Sequence, residues 1–164
     1  MTEGEKRASA PAGLDGRGLR VGVVRARWNS HIVDRLALGV GRGLAALGVD
    51  PADVIDVTVP GSFELPMGAR ILAGSGRVDA VVCLGSVIRG ETTHYDLVAG
   101  EAAAGIQLVQ IDTGVPVAFG ILTTEDESQA LARSEGPGGH NVGEDAAVVA
   151  VEMARLAQHF RSEP

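Results

Sequence analysis

The chain has 164 residues, a formal net charge of −7 and a hydrophobic fraction of 45% with only 3% aromatic residues. That length suits one domain whose core is built from Val, Leu, Ile and Ala. The acidic balance excludes a general nucleic-acid or anionic-membrane surface, since both need basic stripes.

Residues 1–18 are polar, contain no apolar core of signal-peptide length and read as a flexible lead into a single domain over 19–160. No run approaches a membrane span, so the expected location is the cytoplasm. Leu19 to Val24 predicts a first buried strand, and a helix from about Ser30 to Leu47 stops at Gly48. Between them, Arg25-Ala26-Arg27-Trp28-Asn29 puts the only tryptophan at a strand's carboxyl end, where packing and ring stacking are both open to it. Gly39, Gly41 and Gly43 fall inside the helix pattern rather than after a strand, so their spacing is not a dinucleotide fingerprint. Val54 to Val59 is the second strand. It runs into Pro60-Gly61-Ser62-Phe63-Glu64-Leu65-Pro66, where Pro60-Gly61 turns the chain, Ser62 can cap and Glu64 opens a helix to about Ala73. Glu64 suits the helix dipole there, and a carboxylate on that rim also suits a polyol because it accepts from several hydroxyls.

The apolar run Ala80 to Leu84 is the third strand and holds Cys83, the only cysteine, expected as a buried, inert thiol without a disulfide. The stretch Leu84-Gly85-Ser86-Val87-Ile88-Arg89-Gly90-Glu91-Thr92-Thr93-His94-Tyr95-Asp96 then hands the sheet to a small-residue helix. Open α/β sheets bind ligands at that rim. Arg89, Gly90, Thr92 and Thr93 offer positive charge, backbone N–H groups and hydroxyls to a phosphate. His94 lies in the first helical turn, where the dipole favours a neutral imidazole as proton acceptor; Thr93 with Asp96 also reads as a capping-box-like pair. The helix continues to about Ile111 with apolar residues nearly all round, which needs cover from a neighbouring subunit. Val117 to Leu122 is the fourth strand, with Phe119 read as core, and Thr123-Thr124-Glu125 caps a short helix carrying Arg133 near its end. A glycine-rich loop, Gly136 to Gly143, precedes a closing helix from Asp145 to Phe160. The order implies an α/β fold, a four-stranded parallel sheet with helices on both faces. No cluster has metal-ligand spacing, so no metal is expected.

Four motifs taken together, Arg27-Trp28-Asn29, Val59 to Pro66, Leu84 to Asp96 and Gly114 to Glu125, are specific. From about Leu19 to Leu156 the chain resembles the 6,7-dimethyl-8-ribityllumazine synthase family. The resemblance implies a flavodoxin-like three-layer sandwich and a homo-oligomer: a pentamer, with decamers or shells of twelve pentamers as larger forms. It implies active sites between adjacent subunits, no metal or organic cofactor, and riboflavin synthase as a candidate partner. The family reaction, in riboflavin biosynthesis, condenses 5-amino-6-(D-ribitylamino)uracil with 3,4-dihydroxy-2-butanone 4-phosphate and releases phosphate and water. By position, the resemblance makes Trp28 the platform for the pyrimidinedione, with Asn29 beside it. Ser62, Phe63 and Glu64 would line the ribityl chain, and Ser86, Val87 and Ile88 would meet the ring with backbone and hydroxyl groups. Glu91 and Thr92 match the phosphate loop, His94 the proton-transfer residue, and Phe119 and Arg133 the residues lent by the neighbour to ring and phosphate. One departure stands out: the family's lysine-bearing turn is Asn141-Val142-Gly143 here, with His140 close by. That keeps open a degenerate shell-forming or flavin-binding paralogue; the resemblance separately leaves a related enzyme acting on the lumazine product as a third reading.

Overall fold

A computed structural model describes residues 9–162. Its strands, β1 (Val21–Ala26), β2 (Val54–Val59), β3 (Ala80–Ile88) and β4 (Val117–Thr124), are parallel and lie in the order β2-β1-β3-β4. The helices are α1 (Ser30–Ala46), α2 (Leu65–Gly74), α3 (His94–Thr113), the short α4 (Glu127–Leu131) and α5 (Val142–Ser162). Strand side chains alternate between the two faces of the sheet. Val21, Val23, Val82, Leu84, Ala118 and Leu122 pack with α1 and α5, whereas Val24, Val81, Cys83, Val117 and Ile121 pack with α2 and α3. A three-layer, flavodoxin-like α/β sandwich follows, as the strand-helix alternation predicts. Cys83 lies wholly inside the second layer, and burial pushes its thiol up to about 12.

The mid-helix glycines acquire a packing role. A Cβ at Gly43 would lie 2.8 Å from both the Ala147 Cβ and the Glu144 carbonyl, and one at Gly39 would collide with the Asn141 side chain. α1 and α5 thus approach closely because the sequence leaves room for backbone.

Several expected boundaries shift. β3 continues to Ile88, four residues past Leu84, because Ser86 to Ile88 pair in register with Leu122 to Thr124 of β4. Arg133 lies beyond α4 rather than near its end inside it. The cap of α4 is Asp126, whose carboxylate accepts from the Gln129 N–H at 2.8 Å, and not the Thr123-Thr124-Glu125 run. α5 begins three residues before Asp145, since Asn141 caps it by accepting from Gly143 and Glu144 N–H groups. Of the N-terminal lead, residues 1–8 lie outside the described residues. The stretch beyond is tied down: Gly16 N–H donates to the Leu47 carbonyl at 2.7 Å, and Arg155 donates to the Asp15 and Arg17 carbonyls. Among the described residues no helix is long and apolar enough to cross a membrane.

Candidate active site at the sheet rim

The carboxyl ends of β1, β2 and β3 converge on a cleft of about 330 Å³ lined by Trp28, Gly61, Ser62, Phe63, Glu64, His94, Leu97 and Val98. Five residues singled out in the sequence, Trp28, Ser62, Phe63, Glu64 and His94, are therefore neighbours in space. The turn after β1 is held by Arg27 and Trp28 N–H groups donating to the Pro60 carbonyl, which sets Trp28 beside the β2 turn. Its ring lies on Gly61, where a Cβ would stand 3.2 Å from Cε3. Trp28 is 68% exposed and Phe63 59%, an apolar opening of the kind that serves a ligand or a second protein.

Asn29 is the only described non-glycine residue with positive φ (56°), a conformation that asparagine tolerates better than most. Its Nδ2 donates to the Ser86 carbonyl at 2.8 Å, pinning the start of α1 to β3. The β1–β3 ladder ends at Arg25 and Leu84, so the edge of β3 beyond that pair carries main-chain groups the ladder does not use. Ser86, Val87 and Ile88 sit on that overhang. Strand alternation, however, turns the Ser86 side chain towards the α1 and α5 layer, where Oγ is buried and has no hydrogen-bond partner among the described residues. A hydroxyl contact from Ser86 to a ring in the cleft is thus not what the geometry offers. Val87 is buried and Ile88 half-buried.

One Glu64 oxygen accepts the Gly61 N–H at 2.9 Å, so this carboxylate closes its own turn while facing the cleft. Ser62 caps nothing: its Oγ fills the space beside Gly85 that a Cβ would need. The capping-box reading of Thr93 and Asp96 also fails, because Thr93 makes no side-chain cap and Asp96 turns to Arg89, 3.4 Å away. Glu91 and Thr92 are exposed on the five-residue loop from Arg89 to Thr93, and Thr92 Oγ1 accepts the His94 N–H. Arg89, offered by the sequence as cation for an anion, is occupied: Nε lies 2.9 Å from Glu125 Oε2, and its guanidinium carbon is 4.2 Å from the Tyr95 ring centre.

Neither Phe119 nor Arg133 lines this cleft. Phe119, read as core, is 43% exposed because β4 is an edge strand and its α3-side face is incompletely covered. Arg133 is half-buried, its Nη1 donating to the Gln129 carbonyl at 2.9 Å. The turn that follows is stitched to α1. Arg35 Nε donates to the Ser134 carbonyl, and the buried Asn141 Nδ2 donates to the Arg35 and Glu135 carbonyls. Val142 packs against the core, and His140 Nε2 lies 3.5 Å from the Asp145 carboxylate.

Leu97 and Val98 were not singled out as site residues. They stand three and four positions after His94, and the helical spacing that puts such residues on one face was the available signal. A second hollow of similar volume lies between α1 and the β2 edge, but its one charged residue, Asp56, is already bonded to Arg25 at 2.8 Å. Among the described residues, no three His, Cys, Asp or Glu side chains gather to hold a metal ion.

Sheet order and rim cleft place the molecule among flavodoxin-like α/β proteins that take ligands at the carboxyl ends of their strands. Within that class, the family model described as 6,7-dimethyl-8-ribityllumazine synthase matches residues 18–158. Proteins of that name from Paraburkholderia phytofirmans and Paraburkholderia xenovorans are each 49% identical over 144 residues, covering 88% of this chain and 83% of theirs. One from Paraburkholderia phymatum is 48% identical over 144 residues, 88% of this chain and 81% of its own. The chain belongs to the 6,7-dimethyl-8-ribityllumazine synthase family.

Proposed function

We propose that the chain condenses 5-amino-6-(D-ribitylamino)uracil with 3,4-dihydroxy-2-butanone 4-phosphate to 6,7-dimethyl-8-ribityllumazine, in riboflavin biosynthesis. The observation that carries this reading is the joining of Trp28, Ser62, Phe63, Glu64 and His94 in one rim cleft of a chain that belongs to this family. Trp28 stacks on the pyrimidinedione, with Asn29 setting the turn beneath it. Glu64 and Ser62 receive the ribityl hydroxyls beside Phe63. On the unladdered edge of β3 the main-chain groups of Ser86 and Ile88, which point away from β4, meet the ring, with Val87 between them. Backbone N–H groups around Glu91 and Thr92, at the start of α3, take the phosphate.

The 5-amino group attacks the ketone and the carbinolamine loses water. Phosphate then leaves, and attack by the ribitylamino nitrogen closes the ring with loss of a second water. His94 accepts and returns protons in these steps, and holding both substrates in one cleft makes the encounter an oriented one. Arg133 stabilises the departing phosphate by charge-assisted hydrogen bonds, and Phe119 completes the ring slot.

Phe119 and Arg133 come from an adjacent copy. Their absence from the cleft of their own chain supports this, as does the exposed apolar flank of Ile111, Met153 and Leu156 beside Pro116, at the start of β4. A site built from two different surfaces of identical subunits is heterologous and gives a ring where the rotation between subunits closes, here a pentamer, with decamers or shells of twelve pentamers as further assemblies. Light scattering distinguishes these. Riboflavin synthase is the partner that would consume the product.

Mixing the two substrates with purified protein and following the lumazine absorbance tests the reading; no product would refute it. Riboflavin formed from the lumazine alone would favour an enzyme acting on the product instead. Val142 supplies no cation to the phosphate side, so the affinity for the phosphorylated substrate rests more heavily on Arg133.

A further inference from the structure

We infer that Arg89 is a positioning residue, which fixes the Arg89–Thr93 loop and the first turn of α3 rather than holding the anion itself. Arg89 reaches three elements at once. Its N–H donates to the Thr124 carbonyl at 2.9 Å, extending the β3–β4 ladder by one bond. Its Nε contacts both Glu125 oxygens, at 3.1 and 2.9 Å, and Nη2 reaches Asp96 at 3.4 Å, while the guanidinium lies over Tyr95. The planar fork is what allows one side chain to pair with two carboxylates and stack on a ring, and an ammonium cannot reproduce all three contacts.

The loop between these anchors has little else to hold it. Arg89 to Thr93 are exposed, and no atom lies within 4 Å of where a Cβ at Gly90 would stand. Its shape therefore rests on its ends: the Thr92–His94 hydrogen bond on one side, and on the other Arg89, which ties the strand end to Tyr95 and Asp96 immediately after His94. A loop that must be ordered by its ligand binds it more weakly than one ordered beforehand. The inference rests on the proposed function in one respect, that this loop faces the phosphate.

Steady-state kinetics of the assembled protein tests it with R89M, R89K, E125Q and the double variant R89M/E125Q. R89M is expected to raise KM for the phosphorylated substrate about tenfold while leaving KM for the pyrimidine within about twofold. R89K recovers part of the loss. E125Q, which touches only Arg89's side of the clamp, reproduces part of it, and the double variant is no worse than R89M because the contact is already gone. An unchanged KM for the phosphorylated substrate in R89M overturns the inference, as does a silent E125Q beside a damaging R89K, which would put the guanidinium on the substrate. Should R89M fail to assemble, R89K and E125Q decide. If wild type makes no lumazine, the proposed reaction fails separately, and titration calorimetry with inorganic phosphate on the same variants still reads the loop: affinity unchanged by E125Q refutes the positioning role.

Discussion

Replacing Asn141 by alanine removes a buried side chain that is 2% exposed and makes four hydrogen bonds, none longer than 3.1 Å. Two run from Nδ2 to the Arg35 and Glu135 carbonyls; two are accepted by Oδ1 from the first N–H groups of α5. At roughly 1 kcal/mol net per bond, the loss is about 4 kcal/mol, and the groups left behind are buried where water does not replace the partner. For a domain of this length each kcal/mol moves Tm by about 2–4 °C, so Asn141→Ala is expected to melt about 8–16 °C lower. Asn141→Ser keeps the cap alone and should recover about 1 kcal/mol of that. Scanning calorimetry at matched protein concentration is the assay, because assembly itself shifts apparent stability by mass action. A fall of less than about 3 °C for Asn141→Ala would refute the argument that this amide holds α5 and the Arg133 turn on α1.

Arg133→Ala should lower kcat/KM by more than His94→Ala, since the leaving phosphate loses its counter-charge whereas solvent can replace part of the proton transfer; equal activity of Arg133→Ala and wild type would remove Arg133 from the site. Ser86→Ala deletes a buried hydroxyl with no partner among the described residues and should raise Tm by about 2–4 °C, roughly 1 kcal/mol. A lower Tm would show that the hydroxyl is bonded. Cys83, with its thiol pushed up to about 12 by complete burial, should resist alkylating reagents at pH 8 in the native protein and react only in denaturant. Labelling without unfolding would contradict that burial.

The rim was legible because strand ends are. Runs such as Val54 to Val59 announce where a strand stops, and Trp28, Ser62 to Glu64 and His94 then fall on one side of the sheet without further information. The local pattern alone reads Phe119 as core, because its exposure depends on β4 being an edge strand and sheet order is not written in local periodicity. Arg89 looked available for an anion because its partner Glu125 is 36 positions away and reaches it only through the β3–β4 pairing. The length of β3 was underestimated because Gly85 and Ser86 lack strand propensity, and pairing with β4 overrides that preference. Asn141 passed as part of a glycine-rich loop; its role needs the contact with α1 that Gly39 makes room for. The same contact explains why Val142, between two fixed positions, faces the core cluster.

The central claim, that each active site takes His94 from one subunit and Arg133 from the next, is tested most directly by mixing. His94→Ala and Arg133→Ala chains, unfolded together at equal concentration and reassembled, place an intact His94 opposite an intact Arg133 in about one half of one half, or about a quarter, of the subunit junctions. The account predicts activity well above the mean of the two separate variants, approaching about a quarter of wild type. Activity no higher than that mean would mean that both residues act within a single subunit, and the shared site would be wrong.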